Sequence, residues 1–294
     1  MTIAPLEHAK TTYSSTMSDS TRWSAFEPRQ GDIVVNTPPK SGTTWTQAIL
    51  AMLIAGDPEV DAQTSMKSPW IDINVRPLED VMARLEAQEH RRQVKSHTPF
   101  DGLPYWNELR YIAVYRHPID VHFSFRKHVR NMKRDVSGDL FPDDPSESFR
   151  IFVEGDHYEA SLKGIVTHYK ETLARQSREN LLLLHYADML RDLDAAVNRI
   201  AAHVDLSYDP ALMSAIVNAA TFDSMKANAD RFTPSAGQGL WKKDSGFFDS
   251  GTSNKWEGQL TVDDLKAYEE VISDLLSPDE RAWLEWGAVG SSAS

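Results

Sequence analysis

Short apolar runs punctuate a chain that is otherwise mixed in polarity. Asp32–Asn36 (DIVVN), Tyr111–Tyr115 (YIAVY) and Asn180–Tyr186 (NLLLLHY) are aliphatic, β-branched or aromatic almost throughout. That is the pattern of strands covered on both faces. Gln93–His97 reads as a weaker strand. Helical periodicity follows the three strong runs, over Thr43–Ala55, after Arg116-His-Pro-Ile-Asp120 to about Arg134, and over Ala187–Leu190. Further helices are predicted over Glu147–Glu154, Tyr158–Arg175, Leu193–Val204, Pro210–Ala219 and Thr261–Leu276. Ser277 then starts a last helix with Pro278 at its first position, where a missing N–H costs nothing. Short strands alternating with helices predict an α/β fold with a central parallel β-sheet flanked by helices.

Residues 229–260 show little periodicity, and a stretch of that kind in a compact domain is usually functional or disordered. No repeat or linker divides the chain, so a single domain is expected over residues 23–294. The Ser/Thr-rich residues 1–22 read as a flexible N-terminal tail with no assigned chemistry.

Composition narrows the possible chemistry. The 294 residues contain no cysteine, which excludes disulfides, thiol nucleophiles and cysteine-bound metal. Lys and Arg number 31 against 43 Asp and Glu, a net charge of −12, so no nucleic-acid partner is expected. No apolar run approaches the ~18 residues of a membrane helix. Nothing resembles a signal peptide, so no membrane association and a cytoplasmic location are expected.

The first strand runs into Thr37-Pro-Pro-Lys-Ser-Gly-Thr-Thr-Trp45. A strand, a Gly-containing turn and a helix N-terminus make an anion site, because unpaired N–H groups and the positive end of the helix dipole face one spot. Lys40 adds a charge, Gly42 frees the turn, and Ser41, Thr43 and Thr44 add hydroxyls. A capped strand–helix turn is the plainer reading, but a lysine, a glycine and three hydroxyls within five residues count against it. The order differs from a Walker A loop, in which the lysine follows the second glycine.

The segment PKSGTTW instead resembles the phosphosulfate loop of the cytosolic-type sulfotransferases, whose sulfonate donor is 3′-phosphoadenosine 5′-phosphosulfate (PAPS). Lys95-Ser-His97 is similar to the family's Lys-Thr/Ser-His segment, where the histidine is the catalytic base. Arg116 with Ser124, eight positions later, is similar to its 3′-phosphate motif. Tyr186 stands where the family has an adenine-contacting tyrosine, and Thr221-Phe222-Asp-Ser-Met225-Lys226 matches a stretch whose phenylalanine flanks adenine. Gly251 and Trp256 match its late Gly-x-x-x-x-Trp segment. The likeness implies a P-loop-like sheet and a bacterial enzyme transferring sulfonate from PAPS to a small acceptor, with adenosine 3′,5′-bisphosphate (PAP) as the second product.

Sulfuryl transfer needs cations and N–H donors at the leaving phosphate and a base at the acceptor. The resemblance implies Lys40 at the leaving oxygen, Lys95 on the sulfonate side, His97 as base, and Arg116 with Ser124 on the 3′-phosphate. Trp45, Tyr186 and Phe222 are expected beside the adenine. No metal is required, and His117, His122 and His128 are not spaced to share a helix face as ligands. Ser68–Asp72 and the 229–260 stretch should wall the acceptor pocket, with Trp70, Phe100, Tyr105, Trp241, Phe247 and Phe248 as aromatic surface. An apolar or aromatic acceptor bearing a hydroxyl is expected.

Two departures stand out. The family carries a basic residue directly before the late glycine, whereas this chain has Asp249-Ser250-Gly251; Lys242, Lys243 or Lys255 could substitute. In Glu257–Lys266 the two charges of the family's dimer segment are exchanged. Such a segment fits either a two-fold homodimer contact or a plain helix N-terminus. Two other functions compete: an ATP-dependent P-loop phosphotransferase, against which the strand ending in Arg116 rather than an acid counts, and a non-catalytic nucleotide-binding protein.

Overall fold

The computed structural model describes residues 3–61, 67–133, 138–233, 240–243, 246, 254 and 256–288. Four strands, β1 (Ile33–Asn36), β2 (Gln93–Ser96), β3 (Arg110–Tyr115) and β4 (Leu181–His185), form one parallel sheet in the order β2-β1-β3-β4. Val35 pairs with Lys95 and Asn36 with Ser96, while Tyr115 pairs with His185.

Side chains alternate between the two faces of a strand, and here each face has its own core. Ile33 and Val35 of β1 join Ile112 and Val114 of β3 in one cluster. Helices α1 (Thr43–Ala55), α7 (Leu193–His203) and α8 (Pro210–Ala219) close it with Ile49, Leu53, Val197, Ile200 and Ile216. Val34, Tyr111, Ala113 and Tyr115 face the other way. They pack under α4 (Pro145–Glu154), α5 (Leu162–Leu173), α11 (Val262–Leu275) and α12 (Pro278–Trp286). Two covered faces explain why the strands read as unbroken apolar runs.

The remaining helices are α2 (Leu78–Glu86), α3 (Pro118–Asn131), α6 (Tyr186–Arg191), α9 (Phe222–Ala227) and α10 (Ala229–Phe232). Their start signals are local. Asp144, Ser161, Asp192 and Asp209 each accept a backbone N–H of the first turn, and Ser277 with Glu280 forms a capping box. Thr261 and Asp264 form a second box at the start of α11, with Val262 exposed beside it. Helix α2 was not predicted, although Leu78, Val81, Met82 and Leu85 recur at helical spacing; Val81 and Leu85 are its buried residues.

The N-terminal segment differs from the flexible tail expected. Leu6 and Tyr105 pair through the backbone, with Leu6 N–H 2.6 Å from the Tyr105 carbonyl. The Glu7 carboxylate takes the guanidinium groups of Arg175, at 2.8 Å, and Arg178. Ser15 and Ser18 donate to Glu159 at 2.5 and 2.7 Å. Side-chain bonding of Ser and Glu to distant elements leaves no periodic trace in sequence, which is why the segment looked unstructured.

Beneath β1, Arg92 and Asp32 form a fully buried ion pair at 2.5 Å. Removing one partner of such a pair strands the other charge. Arg92→Ala is therefore expected to cost about 3–5 kcal/mol, read as a lowered denaturant midpoint; an unchanged midpoint would contradict the pairing.

Candidate active site

The chain leaves β1 for β2 on one side and reaches β3 on the other, so the strand order reverses at β1. Ligands in open α/β sheets bind at such a point, beyond the carboxyl ends of the strands. A cavity of about 600 Å³ lies there.

The turn after β1 is built for close approach. Lys40 (φ 65°) and Gly42 (φ 119°) both hold left-handed backbone. A Cβ at Gly42 would stand 3.2 Å from Tyr186 Cδ2 and 3.4 Å from Val114 Cγ1, so both conformation and space demand glycine. Helix α1 starts directly behind with no side-chain cap, leaving its first N–H groups to the turn. The Ser41 hydroxyl is buried without a hydrogen-bond partner among the described residues. An anion seated in this turn would meet free donors and the positive end of a 13-residue helix.

Strand β2 delivers Lys95 and His97. His97 is buried, with Nδ1 2.7 Å from the Thr37 carbonyl oxygen. A carbonyl only accepts, so Nδ1 carries the proton and Nε2 keeps the lone pair. Burial, reinforced by the Lys95 charge, holds the imidazole well below its ordinary pKa, so it is neutral near pH 7. Lys95 Nζ sits 4.3 Å above the Trp70 ring, and Trp70 meets His97 edge-on at 5.0 Å. Burial lowers the Lys95 pKa to about 8, with Asp72 and Glu159 opposing the shift. The ammonium form therefore still prevails at neutrality.

Asp72 braces this corner from below. It is fully buried and accepts from Ser96 Oγ at 2.5 Å, Thr98 Oγ1 at 2.6 Å and Trp23 Nε1 at 3.3 Å. The residues on both sides of His97 are thus tied to one carboxylate.

Arg116 ends β3, and α3 carries Ser124 to the same cavity. The guanidinium lies 4.4 Å over the Tyr186 ring, with Nε 4.0 Å from the Asp120 carboxylate. Asp120 also accepts the Asn254 N–H at 2.9 Å, fastening the late segment to this strand end. Trp45 meets Tyr186 edge-on at 5.4 Å and donates to the Ala220 carbonyl at 2.7 Å.

Lys40, Gly42, Thr43, Thr44, Trp45, Trp70, Lys95, His97, Arg116, Ser124, Tyr186 and Phe222 all line this cavity. Ser41 lies beside it, buried. Phe100 does not belong there. It is fully buried in the sheet core against Tyr105 and Tyr111, so its expected acceptor contact is corrected to a packing role, and Tyr105 with it. Phe247, Phe248, Asp249, Ser250, Gly251 and Lys255 lie outside the described residues. Of the suggested stand-ins for the missing basic residue, Lys242 donates to the Arg130 carbonyl at 2.7 Å. Sequence reasoning missed Thr16 and Met17, which reach the cavity from the N-terminal segment, and His128, which faces it from α3. Among the described residues no group of three or more His, Asp or Glu is placed to hold a metal.

Comparison with known proteins agrees with this geometry. The sulfotransferase domain family matches residues 30–279. A glycolipid sulfotransferase of Mycobacterium bovis is 33% identical over 95% of this chain and 95% of its own length. One from Mycobacterium tuberculosis is 34% identical with the same coverage. A mouse sulfotransferase solved with PAP superposes with a TM-score of 0.73 at 20% identity, over 96% of each chain. The chain belongs to the sulfotransferase family. It is an enzyme, a transferase of sulfonate groups, which sets aside both the phosphotransferase and the non-catalytic alternatives. No helix among the described residues is long and apolar enough to cross a membrane.

The buried histidines make stability depend on pH. Burial lowers His117, His122 and His168 to about 3 and His185 to about 4, and holds His97 and His128 well below the ordinary value. In the unfolded chain these rings protonate near pH 6.5, while in the folded chain they do not. Their contribution is therefore complete above that pH and falls on acidification by about 1.4 kcal/mol per ring per pH unit. Burial raises Asp72 and Glu159, which act in the opposite sense. Denaturant titrations should therefore give a lower stability at about pH 5.5 than at about pH 7.5; equal or reversed stabilities would contradict neutral buried rings.

Proposed function

We propose that this enzyme transfers a sulfonate from PAPS to a hydroxyl of an apolar small-molecule acceptor. The observation that carries the reading is the meeting, at one cavity, of a phosphate-type turn bearing Lys40 with Lys95 and a neutral His97 whose Nε2 lone pair is uncommitted to Thr37. The donor fits the residues present: the buried Ser41 hydroxyl lacks a partner among the described residues, and Gly42 leaves no side chain between the turn and Tyr186.

In this reading the amides of residues 41–44 and the Lys40 ammonium hold the 5′-phosphate side. Arg116 and Ser124 hold the 3′-phosphate, and Trp45, Tyr186 and Phe222 flank the adenine. When bound, PAPS supplies the sulfonate, and its phosphate is the leaving group. His97 Nε2 takes the acceptor's hydroxyl proton; the Thr37 carbonyl then faces an imidazolium and stabilises it. Lys40 offsets the negative charge on the leaving side, and Lys95 sits towards the sulfonate, desolvated and therefore strong in its effect. Each such electrostatic donor is typically worth about 10²–10³ in rate.

The acceptor side is apolar, with Phe125, Val129, Met132, Phe141, Leu240 and Trp241 on the cavity wall. That surface suits a lipid-like or aromatic body presenting one hydroxyl to His97. The mycobacterial relatives are glycolipid sulfotransferases, which points the same way.

Two variants test the assignment. His97→Gln should lower sulfonate transfer, followed as product mass, by about 10²–10⁴, with PAP affinity unchanged by calorimetry. Arg116→Ala should weaken PAP binding by about 10- to 100-fold, the loss of a contact to a charged group. Full turnover by His97→Gln would overturn the base assignment, and wild-type PAP affinity in Arg116→Ala would overturn the clamp.

A further inference from the structure

Helix α3 sets Ser124 and His128 one turn apart, and both line the cavity. Ser124 has a role above, whereas His128 has none. Its Nδ1 lies 3.0 Å from Lys40 Nζ. An ammonium has only hydrogens to offer, so Nδ1 is the lone-pair nitrogen and the ring proton sits on Nε2. This is the opposite tautomer from His97. Burial, together with the charges of Lys40 and Lys95, keeps the ring neutral.

The imidazole is itself held. The Trp241 indole meets it edge-on at 4.8 Å, and Phe125 packs at 6.3 Å. Trp241 is bridged to Met132 at the end of α3, where Lys133 N–H donates to Leu240 at 3.0 Å and Lys242 N–H to Asn131 at 2.7 Å. A fixed acceptor nitrogen thus faces the most flexible cation of the phosphate turn. A free lysine side chain carries about 2 kcal/mol of rotamer entropy.

We infer that His128 is a positioning residue for the reaction: it accepts a hydrogen from Lys40, fixes where that ammonium sits beside the donor site, and links Lys40 to the Trp241 wall of the acceptor pocket. The inference rests on the sulfonate-transfer reading for what Lys40 does, but the contact itself stands apart from it. Because Nδ1 is engaged by Lys40, His128 is not a second base through that nitrogen.

Two substitutions separate positioning from packing. His128→Asn keeps a side-chain acceptor near Nδ1 and loses the ring. His128→Phe keeps the ring against Trp241 and loses the acceptor. In the full-length enzyme, with PAPS and an apolar alcohol that the wild type sulfonates, Asn should retain kcat within about threefold and Phe should lose about 10- to 100-fold. The loss should fall on kcat rather than on the acceptor KM. Adding His128→Phe to Lys40→Met should cost nothing further, since the ring acts through Lys40. The reverse order of the two variants, or equal kcat values for both, would overturn the inference.

If the wild type leaves PAPS untouched, the reaction assignment fails by itself. The contact is then read from acylation of Lys40 with acetic anhydride, followed by peptide mass. Loss of the acceptor destabilises the ammonium, so Lys40 should acylate faster in His128→Phe and not in His128→Asn. Equal rates in the two variants would refute it.

Discussion

The hydrogen bond from His97 Nδ1 to the Thr37 carbonyl joins the ends of two neighbouring strands, and the chemistry of the cavity depends on it. It decides which imidazole nitrogen is basic before any ligand arrives. It also ties the orientation of His97 to the turn that carries Lys40, because Thr37 begins that turn. The sheet makes the bond possible: Asn36 pairs with Ser96, so the residues that follow each emerge at one level. Asp72 then fixes Ser96 and Thr98 around the histidine, so a buried carboxylate with no place in the chemistry governs its geometry.

An acidic chain of net charge −12 builds a cationic pocket here by placement rather than by composition. Lys40, Lys95 and Arg116 come from three different strand ends, so no basic run appears in the sequence. Crowding cations would be costly, and the structure offsets the cost locally. Lys95 has an aromatic face and two carboxylates within its field, and Arg116 has Tyr186 and Asp120. The two neutral histidines add polarity without further charge. Burial that keeps them neutral at pH 7 is the same burial that makes the fold sensitive to acid.

Much of this was legible in the sequence because it is local. Three of the four strands showed as apolar runs, and α1, α7 and α8 by their helical periodicity. The turn at Lys40–Thr44 declared itself through residues adjacent in the chain. What stayed hidden was the pairing of distant side chains. Nothing near Asp72 announces that it serves His97, and nothing near His128 announces Lys40, 88 residues away. Phe100 shows the reverse error: an aromatic residue three positions after the base looked like pocket wall, but residues 100–102 turn it back beneath the sheet. Which way an aromatic faces is settled by packing, and a single sequence does not carry that direction.

The N-terminal segment has a consequence for how the pocket is assembled. Thr16 and Met17 form part of the cavity wall, while Ser15 and Ser18 are secured by Glu159, 144 and 141 residues downstream. These contacts join the two halves of the chain. Closing so long a loop is entropically slow compared with forming local helices. This part of the cavity wall therefore carries a larger loop-closure cost than the turn at Lys40–Thr44, whose residues are neighbours in the chain.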